Sequence, residues 1–279
     1  MTGLELEFIV PAADLQPFVT LFYRFRCPSD LDDIERAAIA QLRFRLSPGA
    51  ASYHFTDGSA QDAPSYHIVG PTTGPVRTLA QGPVWVFGMG LPPADWAALL
   101  GSDAAAMVDR CTCAHALFGE EIAAAADALR GETDGAAMVA IVEPWLRRRF
   151  GGDHAATLGF VGAVDGWLAA TPSPVLADLE RATGLSRRQV ERRCNTLYGC
   201  PPKLLARKYR ALRAGVAMAA GDYAKIDGFY DQSHMIREVK RFTGLTPKRM
   251  REHPGPLAGL TIAQRRALEG RVGPLISET

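Results

Sequence analysis

The chain has 279 residues, 47% of them apolar, and a net charge of +1, enough to bury sizeable cores and better suited to two domains than to one. No run approaches ~18 apolar residues, and Met1 to Glu7 carries two acids and no basic segment, so neither a membrane span nor a secretory leader is written here and a soluble, cytoplasmic protein is expected. Five cysteines (Cys27, Cys111, Cys113, Cys194, Cys200) without a C-x-x-C pair exclude a disulfide framework and a zinc ribbon.

Residues 1–90 alternate with period two, in Leu4-Glu5-Leu6-Glu7-Phe8, Leu42-Arg43-Phe44-Arg45-Leu46 and Val84-Trp85-Val86-Phe87. Turn residues at Ser47-Pro48-Gly49, Thr56-Asp57-Gly58 and Gly70-Pro71-Thr72-Thr73-Gly74 punctuate the pattern, which predicts a sheet with tight turns. Between Asp14 and Phe25 the spacing of Leu15, Phe18, Val19 and Phe22 predicts a helix running into a strand. Helices follow at Ala94–Leu100, Glu120–Leu129 and Gly135–Phe150, and Gly151-Gly152-Asp153-His154 reads as a linker. The fold class expected is thus a β-rich, barrel-like N-terminal α+β unit over 1–152, then an all-α unit over 153–253 and an extension over 254–279.

Thr183–Pro202, T-G-L-S-R-R-Q-V-E-R-R-C-N-T-L-Y-G-C-P-P, has the order of a helix-turn-helix. Gly184 supplies the turn, Leu185 plugs the space between helices, and Ser186 with Gln189 forms a capping box. Val190, Cys194 and Leu197 share one buried stripe, leaving Arg187, Arg188, Glu191, Arg192 and Asn195 outward. Pro201–Ala220 then reads as a single long helix whose stripe runs through Leu204, Leu205, Lys208, Leu212 and Val216. Gly228–Arg251 repeats the first pattern, with Asp231 as cap, Met235, Val239 and Phe242 inward, and Thr246-Pro247 opening a further helix. Its first helix is compressed to residues 222–227, about one turn. Beyond Pro254, Pro254, Gly255, Pro256 and Gly259 break structure, and Thr261–Glu269 predicts a short helix.

From Thr171 to Pro254 there are 17 Lys+Arg against 8 Asp+Glu, a balance of +9 that leaves −8 for the remainder. Such a basic unit attracts phosphate, and its binding weakens steeply with salt. Guanidinium forks match guanine O6 and N7, Gln232 matches adenine N6 and N7, and Glu191 either accepts from cytosine N4 or holds its arginine neighbours. His234 stands between base contact and a plain hydrogen bond to phosphate or water.

With F-Y-D-Q-S-H and T-G-L-T-P-K-R-M-R at this distance from L-S-R-R-Q-V-E-R and P-P-K-L-L, the chain resembles, over roughly Thr157–Glu252, the DNA-binding domain of the AraC/XylS family of transcription regulators. The resemblance implies two helix-turn-helix units bridged by one helix, each setting a recognition helix into successive major grooves of double-stranded DNA. Base-facing places fall by position on Arg188, Glu191 and Arg192, and on Gln232, Ser233, His234 and Arg237. Phosphate contacts are expected from Arg187, Lys203, Arg207, Lys240 and Lys248. The stretches D-L-Q-P-F-V, Q-L-R-F-R-L-S and G-P-V-W-V-F-G-M-G-L-P-P are similar to the sensor halves of such regulators. That implies a small-molecule effector, pairing of two subunits, and RNA polymerase as partner for an activator. Phe44, Tyr53, Phe55, Tyr66, Trp85 and Phe87 are candidates for the effector pocket, against the plainer role of strand core.

Neither a metal nor another cofactor is expected. Cys111-Thr112-Cys113-Ala114-His115 alternates soft ligands without zinc spacing, and His54 with His67 lacks a third ligand. No phosphate-cradling glycine motif is present. The chain is expected not to be an enzyme. Two other classes remain alongside: a DNA-addressed alkyl acceptor using a cysteine such as Cys111, and an architectural DNA binder without sequence preference.

Overall fold

The computed structural model describes residues 3–277 and 279; Met1 and Thr2 of the acidic N-terminal stretch lie outside the described residues. Among the described residues, ten strands form two antiparallel sheets rather than one closed cylinder. The larger comprises β1 (Glu5–Ile9), β2 (Phe22–Cys27), β4 (Ala40–Arg45), β7 (Tyr66–Val69), β9 (Val84–Leu91) and β10 (Cys111–Cys113), in the order β1-β2-β9-β4-β7-β10. The smaller comprises β3 (Leu31–Glu35), β5 (Ala51–His54), β6 (Ala60–Asp62) and β8 (Val76–Ala80), in the order β3-β8-β5-β6.

Alternation decides which residues meet which layer. Leu42 and Phe44 pair in register with Met89 and Phe87, and all four pack with Phe22 and Ile68 into a core that runs on to the helices. Gln41, Arg43 and Arg45, one residue out of step, line a cavity beside the smaller sheet. The helical layer holds α1 (Asp95–Ala98), α2 (His115–Phe118), α3 (Glu120–Arg130) and α4 (Gly135–Arg149), with Ile122, Leu129, Met138 and Trp145 turned to the sheet.

The helix expected after Asp14 is instead a pair of hydrogen-bonded turns. Leu15, Phe18 and Val19 are buried as their spacing requires, but Pro17 has no N–H with which to continue a ladder, and Thr20 already donates to the Gly90 carbonyl at 3.0 Å.

The remaining helices are α5 (Ala155–Ala170), α6 (Leu176–Thr183), α7 (Arg187–Tyr198), α8 (Pro202–Ala220), α9 (Gln232–Thr243), α10 (Pro247–Glu252), α11 (Pro256–Arg266) and α12 (Pro274–Ser277). Val164, Leu179, Val190 and Leu205 join the same core as the larger sheet, whereas Val216, Val239, Met250 and Ile262 form a second one. Pro256 opens α11 rather than breaking structure: it sits at the first helical position behind Gly255, where a missing N–H costs nothing. Among the described residues, no helix is long and apolar enough to cross a membrane.

Candidate nucleic-acid interface and adjoining cavity

The first corner is built from local chemistry. Thr183 ends α6, Gly184 takes φ +65° in the left-handed region, and Ser186 starts α7. The Ser186 N–H donates to Gln189 Oε1 at 2.9 Å, completing the capping box. Val190 and Cys194 are fully buried and Leu197 nearly so, which turns Arg188, Arg192 and Asn195 outward into solvent. Arg187 is exposed and donates from Nε to Glu191 Oε1 at 3.1 Å, so the acid holds Arg187 rather than the two arginines beside it. Lys203 is exposed in the first turn of α8.

In the second corner the first helix is reduced to a 3₁₀ turn at Tyr223–Lys225. Asp231 caps α9 by accepting from the His234 N–H at 2.7 Å. Gln232, Ser233 and Arg237 are exposed in the first half of α9, and Lys240 and Lys248 are exposed beyond them. His234 is half-buried: its ring lies edge-on to Phe229 at 5.9 Å, and Nδ1 accepts from the Tyr230 N–H at 3.3 Å, so it braces the turn. Arg207 departs from the phosphate set. Its Nε and Nη2 fork onto the Glu238 carboxylate at 2.8 Å each, tying α8 to α9 and satisfying a nearly buried acid. Glu238 was not singled out by sequence, because an acid in a basic helix reads as surface; only its place on the Val239 side of α9 hinted otherwise.

Both α7 and α9 are held at their C-terminal ends by the N-terminal half. At the end of α7, a Cβ added to Gly199 would stand 2.4 Å from Val108 and 3.4 Å from Pro71, so only glycine permits that approach. At the end of α9, the Phe242 carbonyl accepts from the Ala37 N–H at 2.8 Å. Between them Lys208, in the middle of α8, donates to the carbonyls of Ala38 at 2.7 Å and Thr72 at 2.9 Å. Burial pulls the Lys208 ammonium down to about 8. The loop carrying Thr72 is itself fixed by Asp109, which accepts from the Thr73 N–H at 2.9 Å and its hydroxyl at 2.5 Å.

Behind these anchors lies a cavity of about 420 Å³, walled by both sheets, α5, α8 and the C-terminal extension. One wall is a closed polar network centred on Arg43. Its guanidinium forks onto Glu35 at 2.8 and 2.5 Å, donates to Gln41 Oε1 at 2.8 Å, and donates to the Tyr53 hydroxyl at 3.0 Å. Tyr53 in turn donates to His67 Nε2 at 2.8 Å, since His67 Nδ1 is committed to the Pro64 carbonyl at 2.7 Å. Burial, reinforced by the Arg43 charge, drives His67 down to about 3 and keeps it neutral. Burial alone would raise Glu35, but the Arg43 guanidinium more than offsets it and holds the carboxyl below its usual range.

Of the six aromatic candidates for a pocket, Tyr53 lines this cavity and the others do not. Phe44 and Phe87 sit on the opposite face of the larger sheet, fully buried against the helices, and Tyr66, paired with Phe44, shares that face. Trp85 stacks under Arg26 at 4.5 Å, and Phe55 packs with Ala63, Val69 and Val76. The apolar parity of these strands belongs to the core; the cavity takes the polar parity. His54 bonds Ser52 at 3.2 Å and does not meet His67, and among the described residues no three metal-ligating side chains converge.

A family model described as a helix-turn-helix domain matches residues 179–253, both corners and the helix between them. Residues 179–253 thus carry an AraC-type helix-turn-helix domain, the DNA-binding part of a transcription regulator. A second model, a domain of unknown function designated DUF6597, matches residues 7–112 of the β-rich half. No curated protein matches. Among solved structures, the chain is similar to ToxT from Vibrio cholerae: 9% identity over 91% of this chain and 100% of that one, TM-score 0.48, for ToxT bound to (E)-4-(8-methylnaphthalen-1-yl)but-3-enoic acid. For ToxT bound to an unsaturated fatty acid, identity is 10% over 90% of this chain and 95% of that one, with TM-score 0.45. The matched residues include the 3₁₀ turn at Tyr223–Lys225, and α11 and α12 lie beyond them.

Proposed function

We propose that this regulator reads operator DNA with α7 and α9 in successive major grooves and that a small molecule in the cavity sets how those helices are presented. In this reading Arg188 and Arg192 take guanine edges, and Gln232, Ser233 and Arg237 read the second groove. Glu191 orients Arg187 on the backbone, His234 stabilises the turn that presents Gln232, and Lys203, Lys240 and Lys248 fix register on phosphates. Residues 1–152 serve as the sensing and self-associating unit, 153–253 as the DNA-binding unit, and 254–279 as an extension that packs back on the sheets. The setting is the cytoplasm, with RNA polymerase as the partner at any activated promoter.

The observation that carries this reading is the loop 36–39. Its residues line the cavity, while Ala37 holds the end of α9 and Ala38 holds the middle of α8. A ligand that shifts this loop therefore moves the second reading head relative to the first. For the acceptor alternative, burial pushes the Cys111 thiol up to about 12, the opposite of what a nucleophile needs.

The test is selection of bound fragments from genomic DNA by the purified chain, followed by affinity for the selected site and for random duplex at one salt concentration. A ratio of ~10³ or more supports the reading, and a ratio near one replaces it with an architectural binder.

A further inference from the structure

Among the described residues, five large apolar side chains stand exposed: Leu117, Val175, Tyr223, Tyr230 and Ile236. None belongs to α7, whose outward face presents Arg188, Arg192 and Asn195 to solvent. Two belong to the N-terminal part of the second head. Ile236 is four residues after Gln232 and three after Ser233, so it shares their face of α9, and Lys240 follows one turn later. The stripe that packs α9 inward is Met235, Val239 and Phe242, and Ile236 is no part of it. Tyr230 precedes the cap Asp231, the place from which an apolar side chain ordinarily packs on the fourth helical residue, here Met235. It is 93% exposed instead, although its N–H is held by His234 Nδ1 at 3.3 Å, so the turn is fixed and the ring is left in solvent. A single exposed apolar residue is ordinary. These two stand at the end of α9 that also carries Gln232, Ser233, Arg237 and Lys240, where positive charge draws in DNA phosphate.

The major groove offers one apolar feature, the C5 methyl of thymine; the other edge groups that proteins read there are hydrogen-bond donors and acceptors. We infer that Ile236 reads thymine by covering that methyl, with Tyr230 as a neighbouring contact that does not discriminate. The inference rests on the DNA-reading proposal above and deepens it, because the two heads then read different edges. With arginine forks, one amide and no exposed apolar side chain, α7 suits guanine-bearing steps. In α9, Gln232 suits adenine and Ile236 suits thymine, so its half-site combines A·T pairs with the guanine taken by Arg237. A methyl contact carries no charge. The preference it gives therefore holds across salt concentrations while overall affinity falls.

The experiment takes the operator selected by the full chain and replaces each thymine in turn by deoxyuridine, which removes the methyl and keeps the base pair. Fluorescence anisotropy is expected to show about fourfold weaker binding at one or two thymines, the worth of one buried methyl, within the half-site that Arg237→Ala disturbs. The same ratio is expected at low and high salt. Ile236→Ala is expected to bind the thymine and uridine duplexes alike, Ile236→Val to keep the preference, and Tyr230→Ala to weaken both duplexes equally, with circular dichroism confirming the fold. If Ile236→Ala does not fold, Ile236→Gln takes its place. Uridine tolerated at every thymine, a preference that survives in Ile236→Ala, or one that Tyr230→Ala abolishes overturns the inference. The selection itself keeps the two claims apart: no fragment preferred over random duplex removes the reading by two heads, whereas a preferred operator indifferent to uridine removes only the thymine contact.

Discussion

At Arg188 and Lys248 the same charge is expected to do different work. Arg188 projects from a capped, rigid first turn, where a fork can meet one base; Lys248 is a point charge near the end of the domain. Arg188→Ala should cost about 1–3 kcal/mol at one or two base positions and leave other positions untouched. Lys248→Ala should weaken every sequence evenly and lower the salt slope by about one ion. Fluorescence anisotropy on single-base operator variants across a salt series separates the two. Arg207 should behave as neither, because its guanidinium is spent on Glu238. Arg207→Ala should lower unfolding stability by about 1–3 kcal/mol while leaving the salt slope of DNA binding unchanged, since a nearly buried carboxylate loses its partner. Arg207→Ala combined with Glu238→Gln should recover much of that loss in a urea melt. His67 gives the acid side of the stability profile. Its folded value, about 3, lies below the unfolded 6.5, so the unfolded chain binds the extra proton and stability falls as pH drops from about 6.5 towards 3. The expected slope from this group is about 1.4 kcal/mol per pH unit, and His67→Gln should flatten the urea midpoint over that window by one proton's share.

At the scale of elements, the most legible parts of the chain were those fixed by local chemistry. The capping box at Ser186 and Gln189, the Asp231 and Thr246 caps, the span of α8 and the single turn at 223–225 all follow from residues within a few positions of one another. What the letters did not carry was tertiary. Lys208 looked like a lapse in an apolar stripe, and its reason is two carbonyls more than a hundred residues away. The pocket aromatics failed on strand parity: period two says that Phe44 and Arg43 face opposite ways, but not which face meets helices and which a cavity. Pro256 and Pro17 show the same limit, one starting a helix and one leaving two separate turns where a helix was expected, according to which N–H the fold needs. Lys208 also yields a prediction about the dock between the halves. Its folded value of about 8 lies below the ordinary 10.5, so the folded chain binds fewer protons between those limits and the dock gains stability as pH rises through them. Hydrogen exchange at 36–39 and at the end of α9 should slow from pH 8 to 9.5 after correction for intrinsic rates, and Lys208→Met should abolish that trend.

At the scale of the molecule, the N-terminal half does not hang from the DNA-binding half by a tether. It grips α7, α8 and α9 at three places, and the cavity lies directly behind two of them. Nineteen residues of α8 span about 28 Å, close to the ~34 Å turn of B-DNA, so in the proposed reading small changes at the anchors would decide whether both heads fit one face of a duplex. The short element beneath α9 makes the second head the more dependent on its grip from Ala37. Hydroxyl-radical footprinting of the full chain on its selected operator bears most directly on this. Two protected patches about 10 base pairs apart on one face are expected, with Arg188→Ala weakening mainly one and Arg237→Ala mainly the other. A single patch, or protection that both variants weaken evenly along its length, would contradict reading by two recognition helices.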